Sequence, residues 1–247
     1  MASRKRLDIL LIEKKIFKTR SRARDAIMRK TVKVNGEIVF KAGQSVFADA
    51  EITVCDPAQN YVSRAALKLI AALDAFPIVT NKVTAIDVGA STGGFTQVLL
   101  ERGVAHVIAV DVGHYQFDTR LLSNGAVTLL EGLNVRDFQQ EHLGGREIDL
   151  IVSDVSFISL KLALPPVLSL AKKGAQAVLL VKPQFEVGRK HLGKGGILNP
   201  SSAKEIAEAL FIWLDTQIGW HAKDLLPSPI TGSDGNVEYL LFGEKQQ

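Results

Sequence analysis

Leu7, Leu10 and Leu11 recur at the i, i+3, i+4 spacing of one helical face. Thr19 or Ser21 can cap a second helix, with Ala23, Ala26 and Ile27 as its apolar stripe. The period then changes to two. Val32 and Val34 alternate with Thr31 and Lys33, Asn35-Gly36 is a type I′ hairpin signal, and Glu37-Ile38-Val39-Phe40 returns as the second strand. Val46 and Ile52-Thr53-Val54 supply further short strands. The pattern predicts a small α+β unit over residues 1–56, closed by a turn-rich segment, Asp56-Pro57-Ala58-Gln59-Asn60, with a linker at 57–62.

Beyond residue 62 the pattern alternates strand and helix. Ser63 can cap a helix carrying Ala66, Leu67, Ile70 and Leu73 inward, with Lys68 off the centre of that stripe, where a lysine is by default solvated. Apolar strands are predicted at Val83–Val88, His106–Val110, Val127–Glu131, Ile148–Ser153 and Ala177–Lys182. Helical patterns lie near 160–171 and 201–217, so residues 63–247 are expected to form a Rossmann-like, doubly wound α/β sheet. The last two strands, near 220–226 and 237–242, read as an antiparallel hairpin at the sheet edge.

Composition narrows the classes. Of 247 residues, 47% are hydrophobic and 23% charged, which excludes wholesale disorder. No apolar run approaches the ~18–20 residues of a membrane helix. The basic start, Met1 to Arg6, runs into Asp8 and Glu13-Lys14-Lys15 rather than a signal-peptide core. A lone Cys55 excludes an internal disulfide, and the scattered histidines show no metal-ligand spacing. A cytoplasmic chain without a metal or a membrane is expected.

Charge changes the picture more. The net charge is +4, but residues 1–60 hold thirteen Lys/Arg against seven Asp/Glu, and the remainder seventeen against nineteen. All of the positive excess therefore lies in the first unit. Arginine at such density suits phosphate, because its planar fork donates bidentately and stays charged. Arg4, Arg6, Arg20, Arg22, Arg24 and Lys33 are the candidate nucleic-acid contacts, and the second helix, with Arg20, Arg22, Arg24 and Arg29, is expected to present arginine to solvent. The order Arg6-Leu7-Asp8, Ser21-Arg22, Val32-x-Val34-Asn35-Gly36, Asp49-x-x-Ile52-x-Val54 resembles the RNA-binding domain first described in ribosomal protein S-four. The resemblance implies recognition of structured RNA through shape and backbone.

The first strand of the larger unit runs into Asp87-Val88-Gly89-Ala90-Ser91-Thr92-Gly93-Gly94-Phe95 and then a helix. Glycines at a strand-to-helix turn let backbone approach a ligand at the helix N-terminus. The spacing is G-x-x-x-G-G, not the dinucleotide G-x-G-x-x-G. Asp87 would repel a pyrophosphate but suits the ammonium of S-adenosylmethionine. Asp111, closing the next strand, lies where an acid grips ribose hydroxyls, and Asn134 is a candidate contact to an adenine edge.

Ligands of open α/β sheets bind beyond the carboxyl ends of the strands. Asp154 follows the fourth strand, Lys182 closes the fifth and Glu238 begins the last. With Lys68 these look like the Lys-Asp-Lys-Glu tetrad of ribose 2′-O-methyltransferases of the FtsJ class, whose glycine loop is also matched. Many methyltransferases have glycine where Ser91 stands. Over residues 4–243 the chain resembles the TlyA family of rRNA cytidine 2′-O-methyltransferases, also known as haemolysins.

The resemblance implies a ribosomal RNA or ribosomal-subunit partner, S-adenosylmethionine as cofactor, and Lys182 taking or relaying the proton of the ribose 2′-hydroxyl. Neutralising an ordinary lysine at pH 7 costs roughly 4.6 kcal/mol. Lys68 and the sulfonium would reduce that cost and Asp154 and Glu238 would raise it, a balance the sequence leaves open. If Lys182 stays charged, it would instead position the hydroxyl and stabilise the developing alkoxide. Arg189-Lys190-His191-Leu192-Gly193-Lys194-Gly195-Gly196 reads as a substrate-contacting or a surface loop. Phe157 could stack on a base or join the core, and Trp213 and Trp220 read as core. The competing classes are a non-catalytic ribosome assembly factor and a secreted haemolysin.

Overall fold

The computed structural model describes residues 3–188 and 192–246. Arg189, Lys190 and His191 of the basic glycine-rich loop lie outside the described residues. The chain divides into two compact units, Met1–Asn60 and Tyr61–Gln247.

The first unit comprises β1 (Arg4–Arg6), α1 (Leu7–Glu13), α2 (Arg20–Met28), β2 (Val32–Val34), β3 (Glu37–Ile38), β4 (Ser45–Phe47) and β5 (Ile52–Val54). Thr19 caps α2, its hydroxyl accepting from the Arg22 amide. Asn35 and Gly36 both take positive φ, +50° and +84°, the geometry a type I′ turn requires. The returning strand stops at Ile38, two residues earlier than expected. Leu7, Leu10, Leu11, Ala23, Ala26 and Ile27 meet Val32 and Val46 in one buried cluster.

The second unit comprises α3 (Ala66–Ala75), β6 (Thr84–Val88), α4 (Gly94–Glu101), β7 (His106–Asp111), α5 (Thr119–Leu122), β8 (Val127–Glu131), β9 (Ile148–Ser153), α6 (Leu160–Ala163), α7 (Pro165–Leu170), β10 (Ala171–Val181), α8 (Pro183–Glu186), α9 (Pro200–Asp215), β11 (Trp220–Pro227) and β12 (Tyr239–Lys245). One seven-stranded sheet runs β11-β12-β10-β9-β6-β7-β8. It is parallel from β10 to β8, and β12 and β11 close it antiparallel. Strand β12 therefore lies inside the sheet, and of the two last strands only β11 is at an edge, β8 forming the other. Among the described residues no helix is long and apolar enough to cross a membrane.

The central strands are apolar along their length because both faces are covered. Alternation sends Ile86, Val88, Ile151, Leu179, Val181 and Leu241 into one cluster with α6, α7 and α9. It sends Ala85, Leu150, Val152, Val178, Leu180, Leu240 and Phe242 into the other, beneath α3 and α4. Trp220 is fully buried, its indole donating to the Leu168 carbonyl, and Trp213 packs against the same cluster.

Candidate active site

Asp154 stands one residue past β9, Lys182 one past β10, and Glu238 one before β12. The antiparallel register pairs Val181 with Tyr239, so the next step brings Lys182 beside Glu238. Two-residue alternation extended from Val152, Leu180 and Leu240 puts all three side chains on the face under α3. That helix brings Lys68 down onto them. Its buried stripe is Ala66, Leu69, Ala72 and Leu73, with Lys68 also buried. The expectation of a solvated Lys68, with Leu67 inward, is therefore corrected: the stripe is rotated to bring the lysine in, while Ile70 still packs partly buried against the core.

The four charges form two short pairs. Lys182 Nζ lies 2.6 Å from Asp154 Oδ1, and Lys68 Nζ lies 2.5 Å from Glu238 Oε2. Burial raises the Glu238 carboxyl above its usual range, and the adjacent Lys68 opposes that shift. Buried pairs of this kind contribute little net stability compared with apolar packing. Two such pairs at the ligand-binding end of the sheet point to chemistry.

All four side chains line a cavity of about 470 Å³, together with Ser63, Asp87, Gly89, Ala90, Gly94 and Phe95. Asp87 is fully buried in β6 on the same face. Its Oδ2 accepts from the Thr96 hydroxyl at 2.7 Å, while Oδ1 has no hydrogen-bond partner among the described residues. Burial pushes its carboxyl up to about 7. An orphaned, buried carboxylate oxygen fits a ligand that brings a cation.

Gly89 has φ +82°, and a Cβ there would come within 3.0 Å of the Asp154 carbonyl oxygen, so glycine lets the loop pass against β9. Ser91 holds φ +47°, a conformation that favours glycine. Gly93 (φ +91°) caps α4 and does not line the cavity; a Cβ there would strike Leu121 at 2.5 Å. Of the loop residues expected to hold the cofactor, Gly93 is thus the one that turns the chain.

A second cavity of about 440 Å³ adjoins the first and is lined by Asp111, Val112, Gln116, Leu133, Asn134 and Ile158. Asp111 already accepts from the Ser91 and Gly113 amides, each at 2.7 Å, and the Asn134 oxygen caps the following turn through the Arg136 amide. Gly89, Ser91, Asp154, Ser156 and Phe157 line both cavities and form their shared wall. Phe157 is 90% exposed at φ +64° and tilts against Phe185, so the core alternative for this residue falls away.

In the first unit the candidate RNA contacts separate. Arg24 and Lys33 are exposed, and Arg4 lies 4.4 Å from the Phe47 ring. Arg6 and Arg20 both bind the buried Asp8, and Arg22 donates to the Ala58 carbonyl. Arg29 is a correction: its guanidinium pairs with Asp25 and Asp56 at 2.7–2.9 Å and is mostly covered. Asp56 lies nearly thirty residues further on, which the helix pattern alone could not reveal.

Residues 61–245 match the FtsJ-like methyltransferase model, and residues 5–52 match the S4 domain. The 16S/23S rRNA (cytidine-2′-O)-methyltransferase TlyA of Mycobacterium tuberculosis is 40% identical over 98% of this chain and 90% of its own length. The chain belongs to the TlyA family. The 23S rRNA (cytidine-2′-O)-methyltransferase TlyA of Campylobacter jejuni is 40% identical over 74% of this chain and 70% of its own. A solved structure described as a hemolysin, from Streptococcus thermophilus, superposes with a TM-score of 0.76 at 37% identity, covering 100% of this chain and 90% of that one. Membership of the TlyA family, with an FtsJ-like catalytic unit, implies use of S-adenosylmethionine.

The sequence reading missed Thr96, which donates to Asp87, Ser156 on the shared wall, and Gln184, which lines the first cavity. Thr96 follows the glycine loop on α4 and Gln184 follows Lys182, so both stood beside motifs already singled out. Ser156, two residues past Asp154, lies beyond the end of β9, where an exposed serine is ordinarily read as loop.

Proposed function

We propose that the protein methylates the 2′-oxygen of cytidine ribose in ribosomal RNA. The observation that carries this reading is the pair of buried lysine–carboxylate contacts lining the first cavity, with Asp154 in the wall it shares with the second. S-Adenosylmethionine, when bound, supplies an electrophilic methyl group. Asp87 Oδ1 holds its ammonium, Asp111 its ribose hydroxyls and Asn134 its adenine, while Gly89, Ala90, Ser91, Gly94 and Phe95 shape the cradle.

Lys182, paired as an ammonium with Asp154 at 2.6 Å, meets the 2′-hydroxyl and relays its proton: it passes one hydrogen to Asp154 as it takes the hydroxyl's, and the freed oxygen attacks the methyl. Asp154 orients the amine and ends the step carrying the proton. Lys68 and Glu238 neutralise each other and keep the adjacent wall polar without adding net charge. Phe157, exposed at the rim, stacks on a base lifted from the RNA. The S4 domain docks the RNA through its basic surface, with Arg24 and Lys33 the most accessible of the candidate cations. Cytidine is favoured because both TlyA relatives are named for it.

Mass-spectrometric mapping of 2′-O-methyl groups in rRNA, with active protein and with Lys182→Ala, tests the reading. A methyl group on cytidine that depends on Lys182 is expected. Full methylation by the alanine variant removes Lys182 from the mechanism.

A further inference from the structure

Asp154 is not the only group on Lys182. Its Nζ also donates to Ser156 Oγ at 2.7 Å, with the Asp154 main-chain carbonyl at 3.5 Å. A lysine amine has up to three hydrogens on a freely rotating bond, so a single carboxylate does not fix where the remaining donor or lone pair points. Two acceptors on one side do.

Ser156 is exposed and belongs to the wall common to both cavities. The segment carrying it is tied down at its far end as well. Glu186 accepts from the Ser159 hydroxyl at 2.5 Å and from the Leu160 amide at 2.8 Å. Glu186 lies four residues after Lys182, so residues 154–160 are held against 182–186 at two separate points. Between them Phe157 is kept at φ +64°, a conformation that a free loop would abandon. Among the described residues the ion pairs beside the amine are Lys182–Asp154 and Lys68–Glu238, and Ser156 adds a neutral side-chain acceptor to them.

We propose that Ser156 is a positioning residue for methyl transfer: its hydroxyl oxygen holds the Lys182 amine toward the meeting point of the two cavities. The inference rests on the reading of Lys182 as the group that meets the ribose hydroxyl. Alanine at 156 leaves the amine with Asp154 alone and lets it swing, while the cofactor cradle and the basic unit are untouched.

The test uses the full chain with ribosomal subunits as substrate, and the variants Ser156→Ala, Ser156→Thr and Lys182→Ala. Loss of a hydrogen bond to a charged group predicts a kcat roughly 10- to 100-fold lower for Ser156→Ala. KM for S-adenosylmethionine and for the subunit should stay within about twofold, since the interaction matters only when the hydroxyl is being deprotonated. Threonine keeps the oxygen and should restore most of the rate. The proposal fails if Ser156→Ala keeps its kcat while Lys182→Ala is inactive, if threonine is no better than alanine, or if the alanine variant no longer binds the cofactor by calorimetry. Full activity of Lys182→Ala is a different failure, because it removes the underlying reading together with the role of Ser156.

Discussion

Asp8 in the N-terminal unit and Asp154 in the catalytic unit each meet a cation at short range, but in opposite surroundings. Asp8 is fully covered, while the side chains of its partners Arg6 and Arg20 remain 49% and 53% exposed. Asp154 and Lys182 are both covered, at 15% and 9%. An exposed guanidinium tied to a buried acid still faces solvent with its remaining donors, where it can meet a phosphate and where salt screens it. A buried lysine cannot attract a distant polyanion, but it can hold one oxygen in one place. On the proposed reading the same ion-pair chemistry would serve docking in one unit and positioning in the other, with exposure of the cation deciding which.

The largest effect should come from breaking the buried side. Lys182→Ala is expected to lower kcat by about 10²–10⁴-fold, the span of general acid–base catalysis, with RNA affinity unchanged in a filter-binding assay. An equal loss of RNA affinity would erase the distinction between the units.

Asp87→Asn should weaken S-adenosylmethionine binding by roughly tenfold or more, the worth of a hydrogen bond to a charged group, as read by calorimetry. Because the free carboxyl titrates at about 7, wild-type cofactor affinity should fall as pH drops through that value. The sign for stability is the reverse. The native carboxyl binds its proton more tightly than an ordinary aspartate at 3.8, so the cofactor-free protein should lose stability as pH rises from about 4 to about 7. A flat cofactor affinity across this range would remove Asp87 from the ammonium site.

On the docking side, Asp8→Asn should cost about 1–3 kcal/mol in urea unfolding, because two arginines lose a charged acceptor. The hydrogen bond from Arg6, with help from Arg20, holds the Asp8 carboxyl down to about 2. Its contribution is therefore present above about 4 and lost as pH falls toward 2.

The smallest effect sharpens the comparison most directly. Arg24→Ala and Lys33→Ala should each reduce the slope of log K for RNA against log salt by up to about 0.9, and leave kcat at saturating substrate unchanged. Arg29→Ala should leave that slope alone, since its charge is already spent on Asp25 and Asp56.

Much of the fold was legible because its signals are local. Alternation and caps located β8 and β9 to the residue, and the Asn35-Gly36 turn needed only its own two φ angles. Asp154, Lys182 and Glu238 were legible for the same reason: each interrupts or abuts an apolar strand at the end where ligands bind. Lys68 was legible only through family resemblance, because its own helix pattern assigns it to solvent.

Without tertiary structure, strand order and face remain undefined, and those decide what a charge does. The sequence by itself determined two units, the concentration of positive charge in the first, the glycine turn after Asp87 and the polar residues at strand ends. Only the fold decided that β12 enters beside β10, so that Glu238 lies next to Lys182. It also decided that α3 rotates Lys68 inward, that Arg29 is consumed by Asp56, and that Ser156 reaches the amine of Lys182. Each of these is a contact between groups far apart in the chain or off any periodic stripe, and hydrophobic periodicity carries information only about neighbours on the same element.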